Sequence, residues 1–189
     1  FNAAGWRHIL AKHGGRLPVE IRAVAEGTTV PVSNALMTIE NTDPEVPWLT
    51  NYLETMLSMV WYPTTVATQS RAMRALILGA LERTGDPSLI AFKLHDFGFR
   101  GSTSKESASI GAGAHLVNFQ GTDTLPGIMF ARRYYHAQMA GFSIPAAEHS
   151  TITSWGREHE ADAVRNMLET VPTGLVAVVS DCSASFHAW

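Results

Sequence analysis

The chain has 189 residues, 46% of them hydrophobic and 16% charged, with a net charge of −3 at neutral pH. That length and apolar share exclude a disordered tail and a small disulfide-stapled module, and no apolar run is long enough to cross a membrane. A mildly acidic balance without a Lys/Arg block argues against sequence-independent nucleic-acid binding, and a single cysteine, Cys182, suits a reducing, cytoplasmic setting. The chain opens on Phe1 with no charged-then-apolar leader after it, and is expected to be a piece of something longer.

The first stretch reads as short extended pieces. Residues 17–24 alternate apolar and polar, and residues 34–40 resemble a second strand after the Pro31 turn, closed by Asn41-Thr42-Asp43-Pro44. A helix is expected over residues 48–61, stopping at Pro63, which has no N–H to give. Val66, Ser70, Met73, Ile77 and Leu81 then recur at spacings of three and four, one face of a longer helix ended by Gly85-Asp86-Pro87. From Leu89 the texture changes: strand 90–94, helix 105–116 lined with small residues, strand 117–119, helix 124–138, strand 142–144, helix 151–170 and strand 175–179. Alternation of this kind predicts an α/β chain with a parallel sheet covered by helices.

In such a sheet the segments after the strands share one rim, where α/β proteins place ligands. They are His95-Asp96-Phe97-Gly98-Phe99-Arg100-Gly101, Gln120-Gly121-Thr122-Asp123, Pro145-Ala146-Ala147-Glu148-His149-Ser150 and Ser180-Asp181. Each residue also has a structural reading. His95 and Asp96 could brace a loop, Asp123 could cap a helix, and Glu148 and His149 could precede a capped start at Ser150 or Thr151. Phe97 and Phe99 could be core. Arg100, between an aromatic and a glycine, suits an anion or a π face. His159-Glu160 lacks the second histidine of a zinc-protease helix, no zinc ligand set is suggested, and Gly111-Ala112-Gly113 reads as close helix packing.

Three of these strings, His95–Gly101, Asn118–Thr124 and Pro145–Thr153, resemble the nicotinamide phosphoribosyltransferase family, and so do Gly15–Ile21 and Glu40–Glu45. The resemblance runs in order from Phe1 to about Asp181. It implies a type II phosphoribosyltransferase: a partial irregular α/β barrel over residues 89–181, preceded over residues 1–88 by part of a β-rich accessory domain that also carries helices. It further implies a cytoplasmic homodimer that joins nicotinamide to the ribose of phosphoribosyl pyrophosphate, with Mg2+ and with ATP hydrolysed as a booster. Carried over motif by motif, Phe97 stacks on the pyridine ring, Arg100 lies beside it, and Asp123 accepts from the carboxamide. Ile144 and Ala146 fall among the substrate-binding positions. His149 matches the histidine phosphorylated from ATP, and Glu148 and Asp181 match acidic positions near ribose and metal.

Two departures accompany the match. Residues 182–189 have no likeness to the family's continuation, and Ala177 stands where a pocket serine is expected. With only four strands the barrel cannot close, so the 189 residues are expected to have little activity alone. The alternatives are a non-catalytic fragment or association module, and a nicotinate-specific relative, against which Asp123 argues.

Overall fold

The computed structural model describes residues 1–180, a mixture of helix and sheet. It opens with α1 (Ala3–His13), a helix ahead of the extended pieces expected from residue 17 on. Both of its ends are chemically specified. The Asn2 side-chain oxygen accepts the Gly5 N–H at 3.0 Å, and Gly14, at φ +60°, closes the last turn in the left-handed region.

Strands β1 (Val19–Ala23) and β2 (Met37–Asn41) follow as an antiparallel pair with Ile21 opposite Ile39; β1 lies inside the expected 17–24, and β2 overlaps the expected 34–40 and runs one residue past it. Next come α2 (Leu49–Ser58) and α3 (Trp61–Thr84). The break between them falls before Pro63 rather than at it. Pro63 sits in the first turn of α3, where a missing N–H costs nothing because those groups have no partner within the helix. Ile9, Val46, Leu49 and Leu53 form a buried cluster with Trp6, Val19, Ile39, Trp48 and Leu57 packed around it. It binds α1, the hairpin and α2 together. In residues 1–88 one hairpin stands with three helices, a mixture of strand and helix.

Beyond α3, residues 90–94 are not a strand: a 3-10 turn (Pro87–Phe92) takes up the first three of them and a bend the other two, the turn's N-terminus held by Asp86 accepting the Ser88 N–H at 2.9 Å. The strand comes later and is shorter, β3 (His95–Asp96). Residues 117–119 likewise turn out of α4 (Lys105–His115) before β4 (Gly121–Thr122) pairs parallel to β3. Phe142 then pairs parallel to Gly121, so the segment at 142–144 adds a third parallel run in a single bridge. The expected strand at 175–179 is a single bridge too, Ala146 to Ala177. Helix α5 (Leu125–Tyr135) lies within the expected span. The expected helix over 151–170 is two, α6 (His149–Trp155) and α7 (Glu160–Thr170), because Gly156 takes φ +79° and a 3-10 turn (Arg157–His159) intervenes.

Small residues bring α3, α4 and α5 into contact, as the Gly111-Ala112-Gly113 string suggested. A Cβ on Gly113 would meet the Phe130 ring of α5 at 2.7 Å, one on Gly111 would strike the Tyr62 hydroxyl of α3, and one on Gly127 would strike Ala112. Behind the parallel strands, buried His115 joins four segments. Its Nδ1 accepts from the Ser70 hydroxyl at 3.0 Å, and its Nε2–H points to the carbonyls of Leu94 and Gly121, both at 3.2 Å. With carbonyls on one nitrogen and a hydroxyl on the other, the proton belongs on Nε2. Burial pushes the imidazole's pKa down, so it stays neutral, stacked on Phe119 at 5.2 Å.

Candidate active site at the strand tips

The tips of β3 and β4 are laced through one carbonyl. Asp96 O accepts the Asp123 N–H at 2.7 Å, with the hydroxyls of Thr122 and Thr124 at 3.4 and 3.5 Å. The Asp96 carboxylate braces its own loop, accepting the Gly98 N–H at 2.9 Å, which is the structural role weighed for it. His95 is not such a brace through Nε2, a buried atom with no hydrogen-bond partner among the described residues. The third tip joins through Ser143, whose hydroxyl donates to Asp123 Oδ1 in a short hydrogen bond. Backbone bonds from Thr122 N–H to Phe142 O (2.9 Å) and from Phe142 N–H to Gln120 O (2.7 Å) hold it there.

Asp123 does not cap α5: Thr124 holds the N-cap position without a side-chain bond, and the Asp123 side chain is exposed. A 3-10 turn (Gly98–Gly101) carries Arg100 around to face the same space. Phe97, Phe99, Arg100, Asp123 and Thr124 together line a cleft of about 440 Å³. Phe97 is 63% exposed and Phe99 44%, so the core reading of both is corrected. An exposed aromatic pair beside a guanidinium and an exposed carboxylate can grip a flat polar ring: one face by stacking, an edge by hydrogen bonds, a neighbouring anion by charge. A second cavity of about 250 Å³ shares Phe99 and Thr124 with it and runs back to Ser70 and His115.

Of the sequence-predicted residues, Phe97, Arg100 and Asp123 therefore meet in one place. Ile144 directly follows Ser143 and is half-buried. Ala146 is drawn to Ala177 by bonds of 2.9 Å (Ala147 N–H to Ala177 O) and 3.0 Å (Ala177 N–H to Pro145 O). Glu148 takes the N-cap position of α6 without a side-chain capping bond, and His149 is that helix's first residue; neither is among the residues lining the cleft. Helix α6 thus begins two residues earlier than Thr151. Asp181, like Cys182, lies outside the described residues. Ser143 and Thr124 were missed by sequence reasoning, although a hydroxyl at a strand tip next to a loop carboxylate was a usable signal.

Comparison with known proteins gives this cleft its context. The sequence model of the nicotinate phosphoribosyltransferase (NAPRTase) family matches residues 92–189, which takes in the tail that the motifs alone set apart. A protein of Xanthomonas campestris named nicotinamide phosphoribosyltransferase is 57% identical over 192 residues, covering 100% of this chain and 41% of its own length. One of the same name from Acinetobacter baylyi is 36% identical over 95% of this chain and 36% of its own length, and one from Mycoplasma pneumoniae 31% identical over 93% and 38%. The chain thus spans about two fifths of the relatives it matches. With more than half of its residues under the family's model, the chain belongs to the nicotinate phosphoribosyltransferase family.

Proposed function

We propose that the chain carries the base-binding part of a nicotinamide phosphoribosyltransferase, which transfers phosphoribosyl from phosphoribosyl pyrophosphate to nicotinamide in NAD salvage. The observation that carries this reading is the meeting of Phe97, Arg100 and Asp123 on one cleft. Phe97 offers its exposed face to the pyridine ring. Asp123, steadied by the Ser143 hydroxyl, accepts from the carboxamide N–H. Nicotinate presents a carboxylate at the same place, which Asp123 repels; attraction and repulsion together favour the amide. Arg100 sets its charge beside the ring, toward the phosphates of the other substrate. The base is so held that its ring nitrogen's electron pair forms the C–N bond to the ribose carbon as the C–O bond to pyrophosphate breaks and its pair leaves on oxygen. Carboxylates near the sugar offset the oxocarbenium charge that builds up.

Glu148, with no capping bond to α6, keeps carboxylate oxygens of the kind that a hard divalent cation takes, and with Asp181 would hold magnesium. Magnesium supplies charge neutralisation for the departing pyrophosphate. His149 is read as the acceptor of the ATP phosphoryl group, and Ile144 and Ala146 as further walls of the substrate site. The parallel runs at β3, β4 and Phe142 are read as the first strands of a barrel over residues 89–181, with residues 1–88 accessory to it, in a cytoplasmic homodimer. Because closure needs more strands, the 189 residues alone should make little nicotinamide mononucleotide, and a longer product of the gene should make it readily.

The deciding measurement is kcat/KM for nicotinamide and nicotinate in the active protein and in Asp123→Asn. The ratio should shift toward nicotinate by about tenfold or more, the scale of one lost charged hydrogen bond. An unchanged ratio would remove Asp123 from base recognition and leave the nicotinate-specific reading in place. His149→Ala should abolish phosphohistidine formation from labelled ATP while leaving basal transfer; label retained in the variant excludes His149.

A further inference from the structure

Far along the sequence from the cleft, three side chains from α1 converge on one buried atom. Asp43, in the turn between β2 and α2, is 2% exposed. Its Oδ2 lies 2.9 Å from His8 Nε2, 2.7 Å from His13 Nε2 and 3.1 Å from Lys12 Nζ. The Asn41 side-chain N–H holds the Asp43 main-chain carbonyl at 2.6 Å, and the carboxylate's Oδ1 accepts the Glu45 N–H at 3.1 Å, which orients its other oxygen toward α1. These bonds hold the carboxylate well below its usual pKa range, the two histidines contributing most. The ligand atoms of His8, His13 and Asp43 all lie within 4.8 Å of one another.

We propose that His8, His13 and Asp43 form a zinc site, completed by water, that staples α1 to the turn between β2 and α2. Two imidazole nitrogens and one carboxylate oxygen are a ligand set zinc accepts, with a fourth position left open. Tetrahedral ligands at zinc bond lengths stand about 3.3 Å apart, so the two contacts to Asp43 Oδ2 need to open by roughly half an ångström. The imidazoles can make that move, since their side chains are 31% and 27% exposed. Lys12, whose side chain is 53% exposed, can swing its ammonium into water and leave the place to the ion. The carboxylate also has the supporting bond that metal carboxylates need, from the Glu45 N–H to Oδ1. The ion would add a link between α1 and the β2–α2 turn that the unfolded chain lacks, so binding stabilises the fold.

Calorimetric titration of the purified protein with zinc chloride tests the assignment, alongside the visible spectrum of its cobalt-substituted form. One saturable equivalent is expected, with tetrahedral cobalt bands free of a thiolate charge-transfer feature. His8→Gln and His13→Gln should each weaken binding at least tenfold. No saturable binding, binding of unchanged strength in either variant, octahedral cobalt, or a thiolate signature would each overturn the proposal and leave the cluster as an ion-pair network. The cobalt spectrum of the unaltered protein decides the matter even if a variant fails to fold.

Discussion

Ser70 and His115 show how much one residue pair settles. Ser70 was placed on the packed face of α3 from its spacing, but its bond to His115 was not legible, because 45 residues separate the two. Together they tie α3 to α4 and, through Nε2, to the strand entrances that aim the cleft. Removing the Ser70 hydroxyl leaves a buried imidazole nitrogen without its donor. Ser70→Ala should therefore cost about 1–3 kcal/mol in urea denaturation, the range for an orphaned buried acceptor, and a change below a few tenths would mean that water replaces the hydroxyl. Phe97, Arg100 and Asp123 were legible because loop tips after strands carry chemistry whatever the core does. Their exposure was not legible: a phenylalanine in a sequence says nothing about which side of a turn it faces.

At the scale of elements, capping chemistry and backbone geometry outweighed periodicity. Helix α1 has an Asn2 N-cap and a Gly14 C-cap in plain view, yet its mixed apolar and basic composition hid it. The expected helix over 151–170 has an unbroken apolar face at Val164, Met167 and Leu168, but Gly156 in a positive-φ conformation ends α6 regardless. Short strands were misplaced because two hydrogen-bonded residues fix β3 and β4, and local apolar runs beside them were the stronger signal. The small-residue string was read correctly, and it predicts a measurable asymmetry. Gly127→Ala gains up to about 1 kcal/mol of helix propensity. Its new Cβ, however, meets the Ala112 Cβ and backbone rather than a flexible tip. Overpacking of this kind costs about 1–3 kcal/mol, so the variant should be less stable. Adding Ala112→Gly should recover part of the loss; strictly additive effects in that double-mutant cycle would mean the two helices do not touch there.

For the whole molecule, stability against acid should fall in two stages. His115 is kept neutral by burial, so its folded pKa lies below its unfolded one. Its contribution is present above the unfolded value of about 6.5 and declines as pH falls below it. Asp43 is the opposite charge type with the same sign of effect: its folded pKa is depressed, chiefly by His13 and then His8. That contribution is present above an unfolded value of about 3.9 and is lost as pH falls through the lower folded one. Urea midpoints measured from pH 7 to pH 2 should show both stages, and Asp43→Asn should keep the first and flatten the second. A second stage that survives in Asp43→Asn would place the acid sensitivity elsewhere. The sequence by itself determined the family, the α/β alternation and the loop residues that make the cleft, because those rest on residue type and order. Tertiary structure alone decided which of them meet: that Ser143 reaches Asp123, that Phe97, Arg100 and Asp123 line one cleft, and that α1 carries two histidines to Asp43. Contacts across 20 to 35 residues depend on how helices and turns are placed in space, and no local pattern along the chain encodes that placement.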